Sequence, residues 1–165
     1  MTPSPWIAAW AGLVAPGATV LDLAAGKGRH TSFFAGRGHR VTAVDRDVSA
    51  LAASDTVEPI AADLEDGSPW PLADRRFGGV VVTNYLHRPL FPLLVAAVAP
   101  GGVLLYETFM VGQERLGRPR RPEFLLHDGE LLERVRGHLS VIAYEAGPLG
   151  APPRAVVQRI AARRP

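Results

Sequence analysis

Near the start of the chain, a handful of side chains stand at the spacing a bound nucleoside would need. In VLDLAAGKGRH, residues 20–30, an apolar run passes through Asp22 and two small residues, Ala24 and Ala25. It then reaches two glycines, Gly26 and Gly28, flanking the only lysine in the protein, Lys27. Small residues at a strand end strip the backbone bare, and a glycine there either takes positive φ or lets another molecule approach the peptide groups closely. A helix beginning near Arg29 would add unpaired N–H groups and a positive dipole end suited to an anionic group. Nineteen residues after Gly26, VTAVDRD brings Asp45 to the tip of a second strand, where a carboxylate can accept both ribose hydroxyls. The combination reads as a cradle for a nucleoside-containing cofactor. The glycines alone would serve equally as a tight turn with no ligand, and Asp45 could simply cap the next segment, although Asp47 is better placed for that. A dinucleotide fingerprint wants a third glycine at position 31, where the chain has Thr31; that argues against NAD.

Other candidates lie further on. TNYLHRPLF, residues 83–91, leaves a strand where an open α/β sheet places its ligand, so Tyr85, His87 and Arg88 can reach a cleft. His87 can take a proton from a nucleophile, or cap the turn before Pro89. Arg88 is either a carboxylate-binding group or one half of a surface ion pair. In YETF, residues 106–109, Tyr106 and Phe109 are candidate pocket walls or alternating core residues. Glu107 is a candidate base, an arginine partner or a helix-end contact. Arg115, Arg118, Arg120 and Arg121 crowd into seven residues, where guanidinium forks could grip a carboxylate or phosphate from a closing loop, or stand solvated. His30, His39, His127 and His138 flank helical segments at spacings that suit no zinc site, and are read as surface or capping residues. No ligand cluster asks for a metal.

These residues must be positioned by strands and helices in alternation. Strands are expected at 19–24, 40–45, 57–62, 78–84, 102–108, 139–145 and 154–161, and helices at 4–14, 28–37, 48–54, 90–98 and 128–137. The first five strands are near-continuous apolar runs, as in a parallel sheet covered on both faces, which makes the chain an α/β protein with right-handed crossovers. Residues 63–77 hold too much Gly, Pro and Asp for a crossover helix, and 110–127 form a second irregular segment; loops this long are usually functional. At 165 residues one domain is expected, spanning 1–165. Trp6 and Trp10, one helical turn apart after Ser4 and Pro5, pack on the sheet or form a lid within residues 1–17. The absence of cysteine excludes disulfides, thiolate metal sites and cysteine nucleophiles. No apolar run approaches the roughly 18 residues of a membrane span and no basic leader precedes one, so a cytoplasmic protein is expected. A net charge of +2 with a pI near 9.5 is a weak basic signal. Nucleic acid is disfavoured, because the arginines lack interleaved aromatics.

The chain resembles the class I S-adenosylmethionine-dependent methyltransferases, closest to small bacterial members of the tellurite-resistance and ubiquinone-biosynthesis kind. Asp22, Gly26 and Gly28 in DLAAGKG match the first motif of that family, roughly DxxxGxG. AVDRD is similar to its ribose-binding acidic turn, and AADLED to its third-strand aspartate. PLADRRFGGVVVTNYLHR resembles its fourth strand, and VAPGGVLLYET its helix-to-fifth-strand turn. The resemblance implies a Rossmann-like fold with a mostly parallel seven-stranded sheet, an antiparallel last strand and helices on both faces. It also implies S-adenosyl-L-methionine as cofactor. On the same basis the backbone from Ala24 through Ala25 and Gly26 to Gly28 would face the methionine moiety. Asp45, with Arg46 beside it, would hold the ribose, Asp63 and the Leu64 N–H the adenine, and Asn84 would lie by the sulfonium. Two departures are Ala25, where relatives often have cysteine, and the missing crossover helix, which leaves Trp70 as a bulky wall for adenine. So little chain lies outside the core fold that the expected acceptor is a small molecule, anionic if Arg88, Glu107, Arg115 and Arg118 bind it, with His87, Tyr85 and Tyr106 as candidates for the chemistry. The rivals are an RNA or protein methyltransferase using the arginine loop, and a binding module without catalysis.

Overall fold

The computed structural model describes residues 1–165. One sheet is built from β1 (Val20–Leu23), β2 (Val41–Asp45), β3 (Val57–Ala61), β4 (Phe77–Thr83), β5 (Val98–Phe109), β6 (Ser140–Leu149) and β7 (Ala155–Arg163). Its order is β3-β2-β1-β4-β5-β7-β6. The pairings from β3 to β5 are parallel, and β7 runs antiparallel to both β5 and β6. The fold expectation therefore holds: the last strand in sequence is the antiparallel one, inserted beside the sheet edge.

Period-two alternation sends each strand's side chains to two separate cores. Leu21 and Leu23 of β1, Val80 and Val82 of β4, and Leu104 and Tyr106 of β5 join one buried cluster with α3 (Phe91–Ala96) and α4 (Glu130–Val135). Val20, Val81, Val103 and Leu105 point the other way, to α1 (Pro5–Trp10) and α2 (Arg29–Ala35). α1 starts where Ser4 Oγ accepts from the Trp6 N–H and Pro5 supplies the first helical residue. Trp6 is 5% exposed, its indole N–H donates to the Ile160 carbonyl, and the Arg159 guanidinium lies over its ring. That helix packs on the sheet.

Several expected elements differ. Residues 48–54 form no helix: the Asp47 carboxylate accepts from the Ser49 N–H, turning the chain, and Leu51 drops onto Ala25 and Ala43. Both connections flanking β3 thus lack helices, and β3 is only half covered rather than buried on two faces. The helices that do form are six or seven residues long, shorter than their apolar patterns, with 3₁₀ turns after α1 and before α3. Residues 110–127 are irregular, as expected, but fastened at several points. The Val111 N–H donates to Leu126 O, the Leu126 N–H to Phe109 O, and the Gln113 side chain bonds Val156 N and Arg118 O. No helix is long and apolar enough to cross a membrane.

Candidate active site

The strand order reverses between β1 and β4, and open α/β sheets form a crevice at the carboxyl ends of strands flanking such a point. A cavity of about 520 Å³ lies there, within the range of small-molecule sites. Ala24 follows β1 and Asn84 follows β4; both line the cavity, and both hold left-handed backbone, at φ 54° and 53°. Asparagine tolerates that region, while in alanine it costs about 1–2 kcal/mol, a strain of the kind retained where a backbone must face a ligand.

The glycine turn divides its labour. Gly26, at φ 55°, donates its N–H to Asp45 Oδ2 at 2.9 Å, while the other oxygen of that carboxylate accepts from Asp47 N at 3.1 Å. A Cβ at Gly26 would meet nothing within 4 Å. Gly28, at φ 79°, is different: its left-handed backbone favours glycine, and a Cβ there would stand 2.5 Å from Leu51 Cδ2 and force that side chain to move. Asp22 lies beneath the turn, 2% exposed, and accepts from Thr31 Oγ at 2.7 Å. Burial pushes its carboxyl up to about 6, against the lowering pull of Thr31. The threonine that departs from a dinucleotide fingerprint is thus the hydrogen-bond partner of the buried acid.

Asp45, Arg46, Asp63, Leu64, Asn84 and Tyr85 line the same cavity, which brings most of the expected cofactor-side residues together. Asp63 Oδ1 accepts from the Glu65 N–H, which turns the chain after β3. Glu65 was not expected; its only signal is adjacency to Asp63. Its carboxylate accepts from the Tyr85 hydroxyl at 3.3 Å and lies 3.4 Å from His87 Nδ1. His87 stands beside the cavity and is joined to it through Glu65. Burial, then the Glu65 and Asp63 carboxylates, push the Tyr85 hydroxyl well above its ordinary value, which makes it a hydrogen-bond donor and a poor base.

Other expected site residues lie elsewhere. Tyr106 is 1% exposed in the core, stacked on Phe91, its hydroxyl donating to Tyr85 O at 2.6 Å; it lines no acceptor pocket. Glu107 faces α1, accepting from Ser4 Oγ at 2.7 Å and pairing with Arg159 at 3.2 Å. Arg88 holds both oxygens of Glu130 at 2.9 Å and donates to the Glu123 and Leu125 carbonyls. Arg115 and Arg118 are exposed, and the 110–127 segment meets the cavity through Pro119 and Phe124 instead. Trp70 packs on the main core. His30 and His39 are buried, not on the surface: His30 Nε2 accepts from the Ser4 N–H at 3.0 Å, and His39 Nδ1 lies 2.8 Å from Ala18 O.

A family model described as a methyltransferase domain matches residues 21–104. Among solved structures, TehB from Haemophilus influenzae superposes with a TM-score of 0.75 at 18% identity, over 96% of this chain and 61% of that one. A 1,6-didemethyltoxoflavin-N1-methyltransferase from Burkholderia thailandensis, with 1,6-didemethyltoxoflavin and S-adenosylhomocysteine bound, gives 0.72 at 24%, over 97% and 76%. An S-adenosylmethionine-dependent methyltransferase from Mesorhizobium loti gives 0.70 at 16%, over 95% and 98%. At these identities the likeness is one of fold. The chain spans about three fifths of the TehB chain. No curated protein matches it.

Proposed function

The chain belongs to the methyltransferase domain family, and from that premise we propose that it moves a methyl group from S-adenosylmethionine to a small acceptor bound at the carboxyl ends of β1, β4 and β5. When bound, S-adenosylmethionine supplies an electrophilic methyl already activated on a sulfonium. The observation that carries the reading is the convergence, in one cavity at the strand reversal, of the strained Ala24 backbone with Asp45 and Asp63. Asp45 keeps acceptor capacity beyond its bonds to the Gly26 and Asp47 amides, as a ribose-binding carboxylate needs. Open space over Gly26 and the short side chains at Ala24 and Ala25 leave room for a methionine moiety along the turn. The residues present fit this cofactor.

What the chain must then do is align a nucleophile and exclude water. Leu86, Phe109, Pro119 and Phe124 also line the cavity, and we assign the part they wall to the acceptor. Its walls are apolar and aromatic. The arginines that suggested an anionic acceptor do not line it, and Asp45, Asp63 and Glu65 outnumber Arg46 in the lining. A flat, largely apolar acceptor without a carboxylate suits this site better than an anion. His87, oriented by Glu65, is the group assigned to take the proton that a hydroxyl or amine nucleophile releases.

Calorimetry with S-adenosylmethionine, S-adenosylhomocysteine and NAD tests the premise: both adenosyl ligands bind and NAD does not. Asp45→Ala weakens both by about thirtyfold, the equivalent of about 2 kcal/mol of charge-assisted hydrogen bonding. Unchanged affinity removes the ribose assignment, and binding without turnover across a broad panel of aromatic hydroxyl and amine acceptors removes catalysis.

A further inference from the structure

A second concavity, of about 440 Å³, lies at the opposite pole of the sheet. Arg76 precedes β4, Arg136 and His138 precede β6, and Arg164 follows β7. Because β7 is antiparallel, all three elements put these residues at the amino ends of the parallel strands, away from Asp45 and Asn84. Four arginines and one histidine line this groove against a single carboxylate, Glu133.

Their partners separate the structural cations from the free ones. Arg136 is paired with Glu133 at 2.7 Å, and Arg134 with Glu130 at 3.2 Å while stacking over Phe91. Arg76 has no hydrogen-bond or carboxylate partner at all. Arg164 has no carboxylate either; its guanidinium donates to the Val95 and Val98 carbonyls around the end of α3. Those bonds satisfy the end of α3 and fix the guanidinium in place, so little side-chain freedom is lost when it takes an anion. His138 is exposed and adds a further positive charge once protonated. Phe91, Pro92, Val95 and Ala96 of α3 supply the apolar part of the groove's lining.

We propose that this groove is a second binding site, for a small organic phosphate whose phosphoryl group is held by Arg76 and Arg164 and whose apolar body rests on the α3 face. Guanidinium groups bind phosphate oxygens two at a time, and the volume suits one small molecule. Every residue named lies outside the methyl-transfer cavity, so occupancy of the two sites is independent in contact.

The test is amide NMR titration of the whole chain with phenyl phosphate, with phenol and inorganic phosphate in parallel, each with and without saturating S-adenosylhomocysteine. Phenyl phosphate is expected to shift the amides of Arg76, Ala96, His138 and Arg164, to bind more tightly than phenol or inorganic phosphate, and to do so equally with S-adenosylhomocysteine present. Arg76→Glu, on an exposed side chain without partners, is expected to weaken it by about tenfold or more while leaving S-adenosylhomocysteine affinity unchanged. The proposal is overturned if the shifts fall on Asp45 and Asn84, if S-adenosylhomocysteine displaces the probe, or if Arg76→Glu has no effect. It is also overturned if only single-stranded RNA binds through Arg76, with the steep salt dependence of backbone contacts. Failure of S-adenosylhomocysteine itself to bind would count against the methyltransferase reading and not against this one.

Discussion

At the scale of single residues, the proposed proton transfer rests on two side chains, Tyr85 and His87, joined by one carboxylate. Glu65 accepts from the Tyr85 hydroxyl and faces His87 Nδ1, which leaves His87 Nε2 as the ring nitrogen able to receive a proton. Tyr85, pushed far above its ordinary value by burial and by Glu65, cannot serve as a base near neutral pH; with its proton given to Glu65, its oxygen can accept a hydrogen bond from the acceptor. His87→Ala is therefore expected to lower the rate of methyl transfer by about a hundredfold, the usual worth of a positioned general base, without changing the dissociation constant for S-adenosylhomocysteine. Tyr85→Phe should raise KM more than it lowers kcat. An unchanged rate in His87→Ala, measured at saturating acceptor, removes the histidine from the mechanism.

At the scale of elements, Arg88 illustrates how a residue expected to bind substrate instead holds the site's walls. It leaves the turn after β4, clamps Glu130 at the start of α4 and reaches the carbonyls of Glu123 and Leu125. The same carboxylate also accepts from the His127 N–H and from Arg134. Burial pushes Glu130 up, and the bonds from Arg88, His127 and Arg134 outweigh it and bring it down to about 2. Arg88→Ala should destabilise the chain by about 2–3 kcal/mol by leaving Glu130 without its main partner, read as a fall in urea midpoint, and proteolysis between Leu116 and Phe124 should quicken. The order of elements was legible in the sequence because VLDLAAGKG, VTAVD and GGVVVTN are apolar runs punctuated by Gly and Asp. Of the residues lining or framing the cavity, the glycine turn and Asp45 were legible because they follow strand ends directly, whereas Asp63, Leu64 and Asn84 came from the family resemblance. Residues 48–54 misled because VSALAAS has helical periodicity but lies too close to the Asp47 turn to nucleate. The arginines misled for another reason: whether a guanidinium faces a cavity or a carboxylate depends on partners distant in sequence, such as Glu130 for Arg88.

Across the whole molecule, two groups buried on the α1–α2 face of the sheet set opposed responses to pH. Burial raises Asp22 to about 6 from an ordinary 3.8 and lowers His30 to about 4 from 6.5. Between about pH 4 and 6 the folded chain holds the Asp22 proton that the unfolded chain has released, so this group's contribution to stability falls as pH rises through that window. For His30 the unfolded chain binds the proton that the folded one refuses, and stability rises with pH between about 4 and 6.5. Each shift corresponds to about 3 kcal/mol, with opposite sign, so from pH 4.5 to 6 the two slopes nearly cancel. Below that, protonation of Glu130, held at about 2, removes the stability that its ion pairs contribute. Asp22→Asn takes away one arm of the balance and keeps an acceptor for Thr31. The variant should be at least as stable as the wild-type chain at pH 7.5 and should lose about 2 kcal/mol more than it on acidification from pH 6.5 to 4.5, by urea unfolding at constant m. Parallel pH profiles for the two proteins would mean that Asp22 titrates as an ordinary solvated carboxylate, which its 2% exposure does not permit.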